Sequence, residues 1–154
     1  MSSTMLFIAL LVITVARAAP VQDETCDVQA YRQSHCAASV FVQHGCTSAT
    51  VDLIHTDFLQ SCSSVRLNWA YAANNLTLII GRQEHQAFTV TVNNDQLIET
   101  VSHIYRIIGN QETEVTTKDH KLVQKSDSND QVKLKLEVPP ELMPYVVFVN
   151  YDID

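Results

Sequence analysis

Apolar and polar side chains alternate without a break through Val132, Lys133, Leu134, Lys135, Leu136, Glu137 and Val138. A period of two sends every second side chain to the same side of an extended backbone, so one face can be buried while the other meets water. A helix, with its period of 3.6, cannot use such a pattern. The pattern recurs: Val65, Leu67, Trp69 and Tyr71 alternate with Arg66, Asn68 and Ala70, and Phe88, Val90 and Val92 alternate with Thr89 and Thr91. The segment 145–151 is apolar enough to lie between two neighbouring strands. Shorter strand candidates occupy residues 40–42, 51–54, 96–100, 104–108, 113–117 and 121–123.

Turn formers separate these runs. Asn74-Asn75, Asn93-Asn94-Asp95, Gly109-Asn110 and the polar connector from Ser126 to Asp130 each interrupt an apolar segment. Glycine occurs only three times in 154 residues, so most turns must rely on Asn, Asp and Ser. Residues 65–80 read as a hairpin, and a short helix around Asp27 to Arg32 is the only helical alternative. Seven to nine short strands with so little helical period predict an all-β fold, a single antiparallel β-sandwich with a barrel as second choice. Residues 65–92 are expected to hold the core, and 110–131 to be more mobile and more polar.

The N-terminus is of another kind. Residues 5–15 form an apolar run followed by Ala16-Arg17-Ala18, the layout of a secretory signal peptide cleaved after Ala18. Eleven apolar residues fall short of the ~20 needed to cross a hydrocarbon core of ~30 Å. The domain expectation is therefore a signal peptide at 1–18 and one secreted β domain at 19–154. Within that domain, 19–64 is a cysteine-bearing segment and 65–154 is the regular β region. Stable membrane insertion is not expected.

Processing would remove one of the ten Lys and Arg, leaving nine against seventeen Asp and Glu, a formal charge of −8. Such a chain repels polyanions, which argues against nucleic acid as a partner. Cys26, Cys36, Cys46 and Cys62 are spaced by ten, ten and sixteen residues, unlike the close pairs of zinc sites or redox motifs. In an oxidising compartment they predict two disulfides, with three pairings open. His35 and His44 near these cysteines keep a metal reading in view, but no metal site is expected. Asn75-Leu76-Thr77 is an N-glycosylation sequon, placed for a solvent-facing turn between strands.

The positions Ser61-Cys62, Val65-Arg66-Leu67, Leu76-Thr77-Leu78 and Phe88-Thr89-Val90 resemble half a repeat of the lysosome-associated membrane glycoproteins. The resemblance covers about half of the chain after the leader and implies a loop closed between Cys26 and Cys62. No cysteine follows Cys62 and two extra ones precede it, a departure on which the family is not adopted.

Chemistry is weakly marked. His55 stands between Asp52 and Asp57, with Ser61, Ser63 and Ser64 downstream, but there is no nucleophile-elbow motif. Asp119-His120 fits an exposed turn, and His85 and His103 fall on presumed strands. Asp127 to Asp130 offers oxygens to calcium but lacks the Gly and terminal Glu of an EF-hand loop. No Gly-rich phosphate loop is present, and no cofactor is expected. Trp69, Tyr71 and Phe88 suit a sandwich core, with a ligand platform as the alternative, while Arg66, Asn68, Thr89 and Thr91 would form a polar sheet face. The expected function is a non-enzymatic secreted protein that binds an extracellular protein, glycan or small ligand. A carrier of a small apolar ligand is second and a small secreted hydrolase third.

Overall fold

The alternating segments become strands in the computed structural model, which describes residues 25–42, 46, 48–70, 74–82, 86–93, 97, 100–115, 121–139 and 146–154. The leader at 1–18 lies outside the described residues. In chain order the first six strands are β1 (Thr25–Val28), β2 (Ala30–Ser34), β3 (Ala37–Phe41), β4 (Ser48–Asp52), β5 (Ser64–Ala70) and β6 (Asn75–Gly81). They are followed by β7 (Thr89–Asn93), β8 (His103–Ile108), β9 (Gln111–Glu114), β10 (Lys121–Lys125), β11 (Gln131–Glu137) and β12 (Val146–Ile153). A 3-10 turn, Asp57–Leu59, precedes β5.

Two six-stranded sheets pack face to face. The first has the order β1-β4-β6-β11-β8-β9 and the second β10-β7-β12-β5-β3-β2. Their inward residues form one cluster that includes Trp69, Leu67, Leu76, Leu78, Ile80, Leu134, Leu136, Val147 and Val149, all essentially closed to solvent. Each such side chain contributes roughly 1.5–3 kcal/mol by leaving water. β11, the clearest alternation in the sequence, lies between β6 and β8, and β12 lies between β5 and β7. Central places suit the most apolar strands. The core also draws Ala38, Val40, Ala49 and Val51 from the cysteine segment and Val132, Leu134, Leu136, Val138, Val147, Val149, Tyr151 and Ile153 from the C-terminal third, so it is wider than residues 65–92.

Several local expectations change. The residues around Asp27 to Arg32 are strands β1 and β2, not a helix. Leu97 and Thr100, placed in a strand by sequence, are helical, and the Val101 amide donates to the Leu97 carbonyl at 2.9 Å. The 65–80 hairpin does not form: β5 belongs to the second sheet and β6 to the first. Among the described strands only β2–β3 and β8–β9 are successive strands that pair, because every other connection between them changes layer. Gly109, with φ +60°, opens the β8–β9 turn, the positive value that such hairpins need at their first central residue.

The cysteine segment supplies edge strands to both sheets. Its β3 joins β5 and its β4 joins β6 in parallel, and β1 joins β4 in parallel; the other strand pairs are antiparallel. Two disulfides fasten it, Cys26–Cys46 beside β1 and β4, and Cys36–Cys62 between the β2–β3 turn and the start of β5. The Cys26–Cys62 loop implied by the family resemblance is therefore not made. Cys26 lies on a strand of the first sheet, whereas Cys62 leads into the second, so each cysteine meets the partner on its own sheet.

At the far end, Arg106 points between the sheets rather than outward. Its Nη2 donates to the Lys125 carbonyl at 2.8 Å and the Gln131 carbonyl at 3.4 Å, bridging the connection from β10 to β11. Burial lowers its pKa below the usual arginine value, although Asp127 opposes the shift.

Candidate functional site

The residues with catalytic letters do not converge. His55 Nδ1 lies 2.9 Å from Asp52 Oδ2, but Asp52 Oδ1 already accepts from the Ile54 amide at 2.8 Å, closing a local turn. The imidazole stands 79% exposed, and among the described residues no serine hydroxyl bonds to it. Asp127, offered by the sequence to calcium, accepts through Oδ1 from the Asn129 amide at 2.9 Å and the Gln131 amide at 3.1 Å. That carboxylate organises its own turn. The ring of His35 lies within 4.8 Å of the Cys36 and Cys62 sulfurs, but these are bonded to each other, which removes the thiolates a metal would take. His44, Tyr71, His85, Asp119 and His120 lie outside the described residues. Trp69 and Phe88 are buried in the core, as the packing reading expected.

The outer face of the first sheet carries charge that pairs with itself. Lys135 Nζ meets Glu112 at 3.0 Å and Glu137 at 3.2 Å and sits over the Tyr105 ring. His103 Nδ1 lies 2.7 Å from Glu114 Oε1, and that hydrogen bond raises the imidazole pKa against the opposing pull of desolvation. Asn75 begins β6 on this face, half-buried, opposite Ser48 and Glu137. The preceding Asn74, in left-handed conformation, makes the turn and donates from Nδ2 to the Cys46 carbonyl at 3.1 Å.

The outer face of the second sheet is built differently. Strand register places Phe41, Ala70 and Val146 in one row across β3, β5 and β12. The next row holds Tyr31, Ser39, Asn68 and Phe148, and the next Ala37, Arg66 and Asn150. Tyr31 is 55% exposed, Phe41 47%, and Val146 and Phe148 39% each, large values for such side chains grouped on one surface. The Tyr31 and Phe41 rings meet edge to face at 5.9 Å. Arg66 and Asn68 do point outward, as their register predicted. The Asn68 and Asn150 amide oxygens are shut off from solvent without a hydrogen-bond partner.

Beside these rows, at the β2–β3 turn, Ser34, His35, Cys36, Ala37, Ser64, Arg66 and Asn150 border a polar cleft of about 260 Å³. Ala37 stands in register between Ser34 and Arg66 there. The Cys36 carbonyl accepts from the Arg66 amide at 3.0 Å, and the disulfide to Cys62 fixes the same turn. Sequence reading missed Tyr31, which fell in the presumed helix, and Phe41, whose outward position depends on which sheet takes β3. Alternation marks two faces of a strand but not which of them is covered.

The fold and its two bonds define a disulfide-linked, two-sheet β protein. No protein-family model matches the chain, and no curated protein matches it in sequence. Among solved structures it is similar to PliG of Aeromonas hydrophila, a periplasmic inhibitor of g-type lysozyme, at 8% identity and a TM-score of 0.38. That likeness covers 68% of this chain and 91% of the other. It is too loose to transfer a partner or a site.

Proposed function

We propose that this chain is a secreted, non-enzymatic β-domain that works by binding an extracellular protein through the outer face of its second sheet. The observation that carries this reading is the grouping of Tyr31, Phe41, Val146 and Phe148 on one exposed surface. Aromatic residues and arginine are the types enriched at protein interfaces, and Arg66 borders the same rows. Ile108 and Val123 are also exposed but lie on β8 and β10, apart from this group, and the opposite sheet presents ion pairs among its own side chains. Secretion is supported by the N-terminal apolar run with its A-x-A site and by two disulfides, which persist in oxidising compartments.

The test compares the native protein with a Tyr31→Asp/Phe41→Asp double variant in the fluid from which the native protein is obtained. The native protein is expected to travel in a complex whose native mass exceeds its own. The variant, with both disulfides formed and its melting temperature unchanged, should travel alone, since losing a central aromatic anchor costs about 2 kcal/mol or more. A native protein with only its own mass, or a complex indifferent to the double substitution, contradicts the proposal. Extra mass released by organic solvent instead of by separation from a protein points to the apolar-ligand carrier.

A further inference from the structure

The cleft at the β2–β3 turn holds polar side chains whose bonding capacity is unused. Among the described residues the Arg66 guanidinium makes no hydrogen bond or ion pair, and the His35 ring makes no hydrogen bond. The Asn150 amide oxygen is closed to water and unpartnered. Among the described residues Ser64 makes no side-chain hydrogen bond, and the Ser34 hydroxyl reaches only its neighbour's carbonyl at 3.5 Å, the limit of hydrogen bonding. Donors of this kind seldom gather without an acceptor.

Among the described residues no Asp or Glu lines the cleft, although acids outnumber bases seventeen to ten over the whole sequence. Asp152, across the sheet from Ser64, accepts through Oδ2 from Asn93 at 3.0 Å and is engaged there. The walls are also fixed in advance. Cys36 holds a left-handed φ of 58°, a costly conformation for a residue with a Cβ, and its bond to Cys62 and its carbonyl bond to Arg66 secure it. A preformed cleft loses little entropy when a ligand enters.

We infer that this cleft receives a carboxylate of the binding partner, with Arg66 as its principal ligand and His35, Ser34, Ser64 and Asn150 around it. A guanidinium grips a carboxylate through two parallel hydrogen bonds, a geometry that an ammonium does not reproduce. A volume of about 260 Å³ falls below the ~300–1,000 Å³ of small-molecule pockets and suits a single side chain or chain end. Register sets Arg66 one row from Asn68 and Tyr31, so an acidic group here would be flanked by apolar residues on the partner. This inference deepens the face-binding proposal and rests on it for the identity of the ligand's bearer.

The test uses the mature protein with both disulfides, isotope-labelled and followed by NMR. It is titrated separately with N-acetylglutamate α-amide, N-acetylalanine, N-acetylglutamine α-amide and sulfate. Both carboxylates, or one of them, should shift the Arg66 side-chain resonance and the amides of Ser34 to Ala37 and Ser64, while the neutral glutamine compound should not. Whichever carboxylate binds more tightly tells whether the partner offers an acidic side chain or its C-terminus. Arg66→Gln, with an unchanged melting temperature, should weaken that binding about tenfold or more, as expected for losing a charge-assisted bidentate contact. Ile108→Ser, on the other sheet, should leave it intact. Silence in the cleft, binding of sulfate alone, or equal binding by Arg66→Gln overturns the inference. Because the probes are small molecules, such a failure leaves the aromatic rows to be judged by the complex with the protein partner.

Discussion

Trp69 and Arg66 lie three residues apart on one strand and meet opposite fates, one at the centre of the core and the other in solvent. Their parity was legible because an extended strand has only two sides. Tyr31 was not legible, since its segment has too little alternation to separate strand from helix. The acid–imidazole pairs also needed coordinates: His55 and Asp52 close a turn, whereas His103 reaches Glu114 on a separate strand. The second pair predicts a titration. Its hydrogen bond raises the folded-state pKa of His103 above 6.5, so folding favours the protonated ring. The resulting stabilisation is complete below about pH 6.5 and is lost as pH rises through the raised folded-state value. An NMR titration should place the His103 midpoint above 6.5, and Glu114→Gln should bring it back towards that value. A wild-type midpoint at or below 6.5 would contradict the assignment.

At the scale of elements, the existence of β5, β6, β7, β11 and β12 could be read from alternation, but their partners could not. Adjacent alternating runs separated by a turn look like a hairpin whether the chain returns along the same sheet or crosses to the other layer. Here β5 and β6 cross, as do β10 and β11 through the turn that Asp127 organises and Arg106 bridges. The cysteines narrowed the choice of compartment without selecting their own pairing. With the pairing known, their energetic roles separate. Closing loops of 20 and 26 residues should stabilise by about 3 kcal/mol per bond in the chain-entropy account. Removing Cys26 and Cys46 together should lower the denaturant midpoint, as should removing Cys36 and Cys62. Only the second pair should also loosen the cleft and weaken carboxylate binding there. Equal effects of both pairs on that binding would argue that the β2–β3 turn is held by its hydrogen bonds alone.

Over the whole molecule, the sandwich was foreseeable from strand count and turn spacing, and its sidedness was not. One outer face is a mesh of ion pairs bearing the sequon; the other exposes rings and an unpaired guanidinium. If Asn75 carries a glycan, that glycan rises from the first sheet and leaves the second uncovered. Intact mass before and after enzymatic deglycosylation should show the modification, and Asn75→Gln should abolish it without weakening the protein complex. A glycan-dependent complex would relocate the binding surface to the charged face. Both expectations follow from strand register, which assigns Asn75 and Phe41 to different layers.

The parallel seating of β3 on β5 and of β4 on β6 also bears on how the chain is made. A ribosome delivers the cysteine segment first, yet its strands dock on residues 64–81, and those in turn sit beside β11 and β12, the last described strands to be synthesised. Neither sheet can therefore be completed until almost all of the chain has emerged, and such distant pairings are intrinsically slow to form. During that wait four thiols stand close together in sequence with their proper neighbours not yet in place. The order of synthesis favours premature oxidation among them, so an isomerase that reshuffles early bonds should govern the yield of correctly folded protein.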